Sequence, residues 1–532
     1  MTSSLVASPT VGPILDPIPG KPEGGGKEAS YVDASVRIEG ELLDWSFVDV
    51  DGDGQAELAL SLRSPRGERE LQLHRTTRSS IDPKPFQSVA MLKDIVSWTF
   101  ADVRPDLEGR ELVLLTRQGA WSFDPRRSSY RGNIEKLLNT DLLYDVPSTR
   151  QLPYWKYVLD PYDGAERLLL PRRGGFEIFG PAATNGESEV PWAPLQSFQS
   201  TTGVAPIDPE DQERQREKAE SDNDRRRARF SATIGDTLRP FLGEGLGLAL
   251  LDDAVTLQAP AVVDVNGDGR RDMLLLDGNL LRVHLATAGG IPKNPTRVEE
   301  LPEYLRKDLQ RASLRIVDVD GDGDMDVLGI WREKIKGFEN GQWRVFVMRS
   351  AKDRLLPAEP TQVLRFEGAA LRTTVADVDG DGRPDLAIRR FQVPSMIETV
   401  TGLEFRFAHL LYLGKKNGTF DKRPALRDEK TYDEESIAEI IANRELVMDC
   451  SGDGIADLVE VDLKGRLAVR RLRKDSSFFG GTSWKIDGAP WKQYASRGSV
   501  ESLDVTDLNG DKLGDIVSAS RSVLTVYLSQ WR

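Results

Sequence analysis

The chain has 532 residues, of which 39% are hydrophobic and 29% charged, with a formal net charge of −14. This is the composition of a globular protein, and no apolar run approaches the ~20 residues that cross a bilayer as a helix. The acidic balance argues against a nucleic-acid partner, since holding phosphates requires a concentrated basic surface, and the lone Cys450 excludes both an internal disulfide framework and a thiolate zinc cluster.

Residues 1–31 show no basic stretch leading into an apolar one, so no signal peptide is visible. Their Pro, Gly and Ser content, ending in Gly24-Gly25-Gly26, predicts a flexible tail or tether. From residue 32 to 532 the chain reads as one domain built on a repeat. Its first copy is Asp49-Val-Asp-Gly-Asp-Gly, with β-prone Ser46-Phe47-Val48 before it and apolar Leu58-Ala59-Leu60 after it. Two weaker copies follow, Asp102 through Glu111 and Asp160 through Glu166, which keep the flanking strands and lose the acidic turn.

An insertion at about 205–230 comes next, and its Pro209 to Phe230 stretch is nearly all charged, predicting an exposed helix or a disordered excursion. The acidic repeat then returns at Asp264, Asp318, Asp377, Asp449 and Asp507. A second insertion, Tyr432 to Glu445, sets Ile437, Ile440 and Ile441 at helical spacing and predicts a short amphipathic helix. With markers at 49, 102, 160, 264, 318, 377, 449 and 507, the units have the length of four-stranded propeller blades. The expectation is an all-β propeller of eight blades, with seven plus a degenerate unit as the alternative. A strand at Ser35-Val36-Arg37-Ile38 is expected to pair with Val523 to Leu528 and close the ring.

Carboxylates at alternating positions of a tight loop can converge on one point, which suits Ca²⁺ with its 6 to 8 hard oxygen ligands. Side chains at the first, third, fifth and ninth positions, and the carbonyl of the seventh, give six candidate sites. They are Asp49, Asp51, Asp53, Gln55 and Glu57; Asp264, Asn266, Asp268, Arg270 and Asp272; Asp318, Asp320, Asp322, Asp324 and Asp326; Asp377, Asp379, Asp381, Arg383 and Asp385; Asp449, Ser451, Asp453, Ile455 and Asp457; and Asp507, Asn509, Asp511, Leu513 and Asp515. Glycines at the fourth and sixth positions permit the turn, although Lys512 replaces the second of them in the last loop. Up to six structural calcium ions would offset most of the net charge.

The ninth-position ligand and strand flanks separate these loops from an EF-hand. Their spacing resembles the calcium loop of the FG-GAP/VCBS repeat family, which includes the integrin alpha-chain propeller. Leu410 to Phe420 is similar to the strand and Gly-Thr-Phe turn of those repeats, while the Phe-Gly and Gly-Ala-Pro signatures of the integrin version are not evident. The resemblance runs from about residue 35 to 532. It implies a non-enzymatic binding or scaffolding protein for a protein or glycan, at the cell surface, in the periplasm or outside the cell. Millimolar calcium in those compartments would fill weak sites.

No nucleophile elbow, phosphate-cradling glycine loop or HExxH motif occurs. His74, His284 and His409 lie in strand-like stretches, where a core role is expected, and Cys450 reads as a small buried residue. Trp155, Trp192, Trp484 and Trp491 lie near apparent loops, where a ring either packs between blades or stacks on a ligand. A calcium-dependent polysaccharide lyase, whose base would be Lys, Tyr or Arg, is the enzymatic alternative, because some such lyases are similar propellers. A tethered subunit of a larger assembly is the third reading.

Overall fold

The computed structural model describes residues 29–531 except 125–133, 143–151, 183–190, 200–259, 307–311, 333–339, 394–403, 434–443, 462–465, 477–481 and 496–499, and positions 52, 54, 105, 106, 108, 163, 173, 352, 353 and 521. The charged stretch at 209–230, the Ile437 to Ile441 helix and most of the expected tail therefore lie outside the described residues.

Eight four-stranded antiparallel sheets follow one another along the chain, and each is one blade. Blades 1 to 7 span residues 41–91, 95–139, 158–199, 261–300, 312–368, 370–432 and 444–494. Blade 8 takes three strands from residues 500–531 and its fourth from the other end of the chain, Ala29–Arg37. There Ser35 pairs with Thr525, Val36 with Leu524 and Arg37 with Val523, so the expected closure is present. Joining the chain ends in one sheet leaves no blade incomplete. The protein is an eight-bladed β-propeller.

Strand composition explains where each strand sits. Second strands such as Asp272–Asp277 and Asp457–Val461 are mostly apolar and buried at every position, the acids Asp272, Asp277, Asp457 and Glu460 included. Fourth strands alternate: in Gln362–Gly368, Leu364 and Phe366 turn inward while Val363, Arg365 and Glu367 face out. Apolar side chains of neighbouring blades then merge into shared cores. Leu328, Val345 and Phe366 of blade 5 pack with Leu386, Ile388 and Leu410 of blade 6, and Leu58 and Leu60 of blade 1 pack with Val517 and Val526 of blade 8. Burying one such leucine contributes about 1.5–3 kcal/mol, so the seams between blades contribute to stability.

Candidate metal-binding loops

Seven of the eight markers read in the sequence lie in the connection from the first to the second strand of their blade, and Asp160 lies within the first strand of blade 3, Val158–Tyr162. Neighbouring loops are linked by backbone hydrogen bonds: the amide of Met325 donates to Val265 O (3.1 Å), Ala456 to Val378 O (2.9 Å), Gly514 to Asp449 O (2.7 Å) and Arg110 to Val50 O (3.0 Å). Between blades 5 and 6 the equivalent residue is Pro384, which has no amide to give, and its ring packs where a Cβ on Gly321 would sit, 3.3 Å away. The loops therefore form a contiguous array at one end of the propeller.

Within a loop the carboxylates have separate tasks. The first accepts amides of the turn: Asp318 receives Gly321 (2.6 Å) and Gly323 (3.0 Å), and Asp449 receives Gly452 and Gly454 (both 2.7 Å). The fifth accepts the seventh residue's amide, as Asp322 does from Asp324 (3.0 Å) and Asp381 from Arg383 (3.0 Å). Glycines adopt positive φ, 76° at Gly321 and 91° at Gly323. Lys512 follows the same path at φ 68°, the one non-glycine with positive φ among the described residues, at an intrinsic cost of ~1 kcal/mol.

The ninth position does something the spacing did not reveal: it latches the blade. One oxygen accepts the amide of the loop's second residue, and the other accepts an amide just past the third strand. Asp326 receives Val319 (3.1 Å) and Ser350 (2.6 Å). Asp385 receives Val378 (3.0 Å), Asp379 (3.1 Å) and Gly414 (2.7 Å). Asp272 repeats the pattern with Ala286, and Asp515 does so with Ser529, which lies within the third strand of blade 8. Burial pushes these carboxyls up, to about 6 at Asp326 and about 7 at Glu57, Asp385 and Asp515, and the donated amides hold the rise in check.

Three loops bring three carboxylates together with oxygens within 4.8 Å of one another: Asp49, Asp51 and Asp53; Asp318, Asp320 and Asp326; and Asp377, Asp379 and Asp385. These are the three loops with an acid at the third position. Among the described residues no such triad forms in the loops at 264, 449 and 507, where Asn266, Ser451 and Asn509 occupy that position. The donor set fits a hard divalent cation. Both oxygens of Asp320 are buried and meet no donor in good hydrogen-bond geometry, and the same holds for Asp51 Oδ1. A buried anion without donors is costly unless a cation faces it. A bound calcium would supply that charge through Asp318, Asp320 and Asp326, or Asp377, Asp379 and Asp385, and tie the turn to the hairpin it begins.

An arginine also approaches these groups. The Arg349 side chain contacts Asp320 through Nε and Asp322 through Nη2 at 3.1 Å, and Arg75 lies 3.5 Å from Asp51. Sequence reasoning missed both, because each follows the third strand of its blade, more than twenty residues from the loop it meets.

Among the described residues the weaker copies at 102 and 160 form no triad, and they are joined by protein charges. Glu111 takes the loop half of the latch role, its Oε2 accepting Val103 (3.1 Å) and Arg104 (3.2 Å), Arg110 pairs with Glu166 at 2.6 Å, and Asp160 accepts Arg271 N (2.9 Å) and Nε (2.7 Å). The histidines are core residues, at most 2% exposed, and the Nδ1 atoms of His74 and His284 lie 2.9 Å from the carbonyls of Asp82 and Pro292. Trp155, Trp192 and Trp484 are buried in packing, and Trp491 stands edge-on to Tyr31. Cys450 is fully buried. A cleft of about 310 Å³ between blades 5 and 6 includes Arg365, Arg390, Tyr412 and Arg427 in its lining and none of the loop carboxylates.

Comparison with known families finds the FG-GAP-like repeat in residues 264–329 and 318–388, which cover blades 4 and 5 and the loop of blade 6. No curated protein matches the chain. Among solved structures, the WD40 domain of SCAP from fission yeast is similar at 8% identity, with 93% of this chain and 98% of that chain covered and a TM-score of 0.36. BBS1N in complex with ARL6DN, soaked with lead, is similar at 8% identity, with 93% and 96% covered and a TM-score of 0.32.

Proposed function

We propose that this FG-GAP-repeat propeller is a calcium-stabilised, non-enzymatic binding or scaffolding protein that engages a protein or glycan outside the cytosol. Propellers of FG-GAP-like repeats are typically used for binding. The observation that carries the calcium part is the pair of triads at 318 and 377, in which one ninth-position carboxylate both latches the blade and joins two others within 4.8 Å. Calcium there would neutralise clustered buried charge and fasten a turn to its hairpin. A site stapled in this way suits millimolar calcium, which supports an exported location. No described helix is long and apolar enough to cross a membrane.

Adding calcium to chelated protein is expected to raise thermal stability, by about 2.7 kcal/mol per site at a hundredfold excess over the dissociation constant. The double variant Asp318→Asn with Asp377→Asn should lose most of that gain in a calcium-dependent melt. An unchanged melting curve on adding calcium refutes the calcium part. The ligand class is tested by passing polysaccharides and cell-surface proteins over immobilised protein, in calcium and in chelator, while recording unsaturated uronate ends. Retention without product supports the binding role. Product that vanishes on chelation replaces it with the lyase.

A further inference from the structure

We propose that Arg349 is an internal counter-cation for the loop at 318, one that stands in for calcium when the metal is absent and weakens calcium binding there relative to the loop at 377. This rests on the calcium reading above. The Asp320 side chain is 2% exposed, and its oxygens lack hydrogen-bond donors of good geometry. The Arg349 guanidinium, 40% exposed, faces it through Nε and reaches Asp322 through Nη2 at 3.1 Å. It therefore bridges the third and fifth positions, two of the groups a calcium would need. Those two carboxylates in turn hold the guanidinium firmly protonated.

The neighbouring blade keeps the arginine in place. Gly418, in the Lys415–Thr419 turn of blade 6, lies so close that a Cβ there would be 2.9 Å from Arg349 Cδ and 3.2 Å from Asp320 Oδ2. A side chain at 418 would collide with the pair, so the glycine at φ 71° leaves room for it.

The same place in other blades makes the assignment specific. The residue following the third strand is Arg75 in blade 1, Arg349 in blade 5 and Arg471 in blade 7, and each pairs with an acid of its own loop. In blades 4 and 6 it is Leu285 and Leu413, which carry no charge to the loops at 264 and 377. Arg383 does pair with Asp381, but from the loop's own rim, and its charge reaches Asp379 only as a minor through-space effect. Two cations cannot share one set of carboxylates without repulsion, so calcium at 318 must displace Arg349 or bind against its field. Because the guanidinium is partly solvated, that penalty is screened.

The test is a calcium titration by calorimetry on full-length protein, with native mass spectrometry counting ions, for the parent, Arg349→Gln, Arg349→Lys and Asp318→Asn. Asp318→Asn removes one ion and identifies the loop's step. Arg349→Gln is expected to tighten that step about fivefold, roughly 1 kcal/mol, while Arg349→Lys stays within about twofold of the parent because it keeps the charge. In chelator, Arg349→Gln should melt below the parent, and saturating calcium should close that gap. A purely structural arginine would lower both melts equally. An Arg349→Gln affinity equal to or weaker than the parent overturns the proposal, as does equal tightening by lysine. A parent that binds no calcium overturns the calcium reading itself, which is a different outcome from an unchanged affinity.

Discussion

The loops of blades 5 and 6 hold three carboxylates within 4.8 Å of one another, whereas the loops of blades 2 and 3 use Arg110–Glu166 and Arg271–Asp160 pairs in the corresponding region. Both kinds sit in or beside the connection from the first to the second strand of their four-stranded sheet. What they share is a carboxylate accepting the amide that follows the first acid: Asp326, Asp385 and, in blade 2, Glu111. The difference teaches that two functions are superposed in the acidic motif. The latching acid serves the blade as well as the triad, and its bond to the loop amide persists in Glu111, the tenth residue of its copy. The first and third acids belong to the cation, joined by the fifth in the loop at 49 and by the ninth in the loops at 318 and 377, and arginine approaches the same groups at Arg75 and Arg349.

The largest effect should come from breaking the latch. Asp385→Ala leaves the buried amides of Val378, Asp379 and Gly414 without an acceptor, at a cost of about 3 kcal/mol or more. Urea unfolding should show this in chelator as well as in calcium, and Glu111→Ala should show a comparable loss in a loop without a triad. A loss at Asp385 confined to calcium-loaded protein would mean that it serves the metal alone.

An intermediate effect is expected from pH. Glu57, Asp385 and Asp515 titrate at about 7 and Asp326 at about 6 in the folded chain, all above the ordinary carboxylate range, because burial disfavours the charged form. A group whose folded pKa is raised contributes stability that is fully present below its unfolded pKa and is lost as pH rises through the folded value. The metal-free protein should therefore be more stable near pH 5 than near pH 7.5. Calcium favours the ionised forms, so its stabilising increment should grow over the same interval. Melting curves at the two pH values, with and without chelator, measure both; a metal-free protein that gains stability toward pH 7.5 contradicts the assignment.

The smallest effect should follow Arg271→Gln. Its pair with Asp160 is well exposed, with side chains 39% and 43% accessible, so the loss should stay near or below about 1 kcal/mol. It should also be identical with and without calcium. A calcium-dependent loss there would blur the division between the two kinds of loop.

The repeat spacing, strand flanks and Asp/Gly turns were enough to read eight blades, ring closure through Ser35 to Ile38, and the acids that form triads at 49, 318 and 377. These are local properties: a turn's ligands and glycines lie within nine residues, and strand alternation is written in the strand itself. The sequence determined that much because repetition makes a local signal unambiguous. Tertiary structure alone decided that Asp385 latches to Gly414, 29 residues away, that Arg349 meets Asp322, 27 residues away, and that Gly418 of one blade makes room for Arg349 of another. Those contacts depend on where the third strand ends and how adjacent blades stack. No spacing rule encodes them, because hydrogen bonds and charge pairs between distant segments are set by packing.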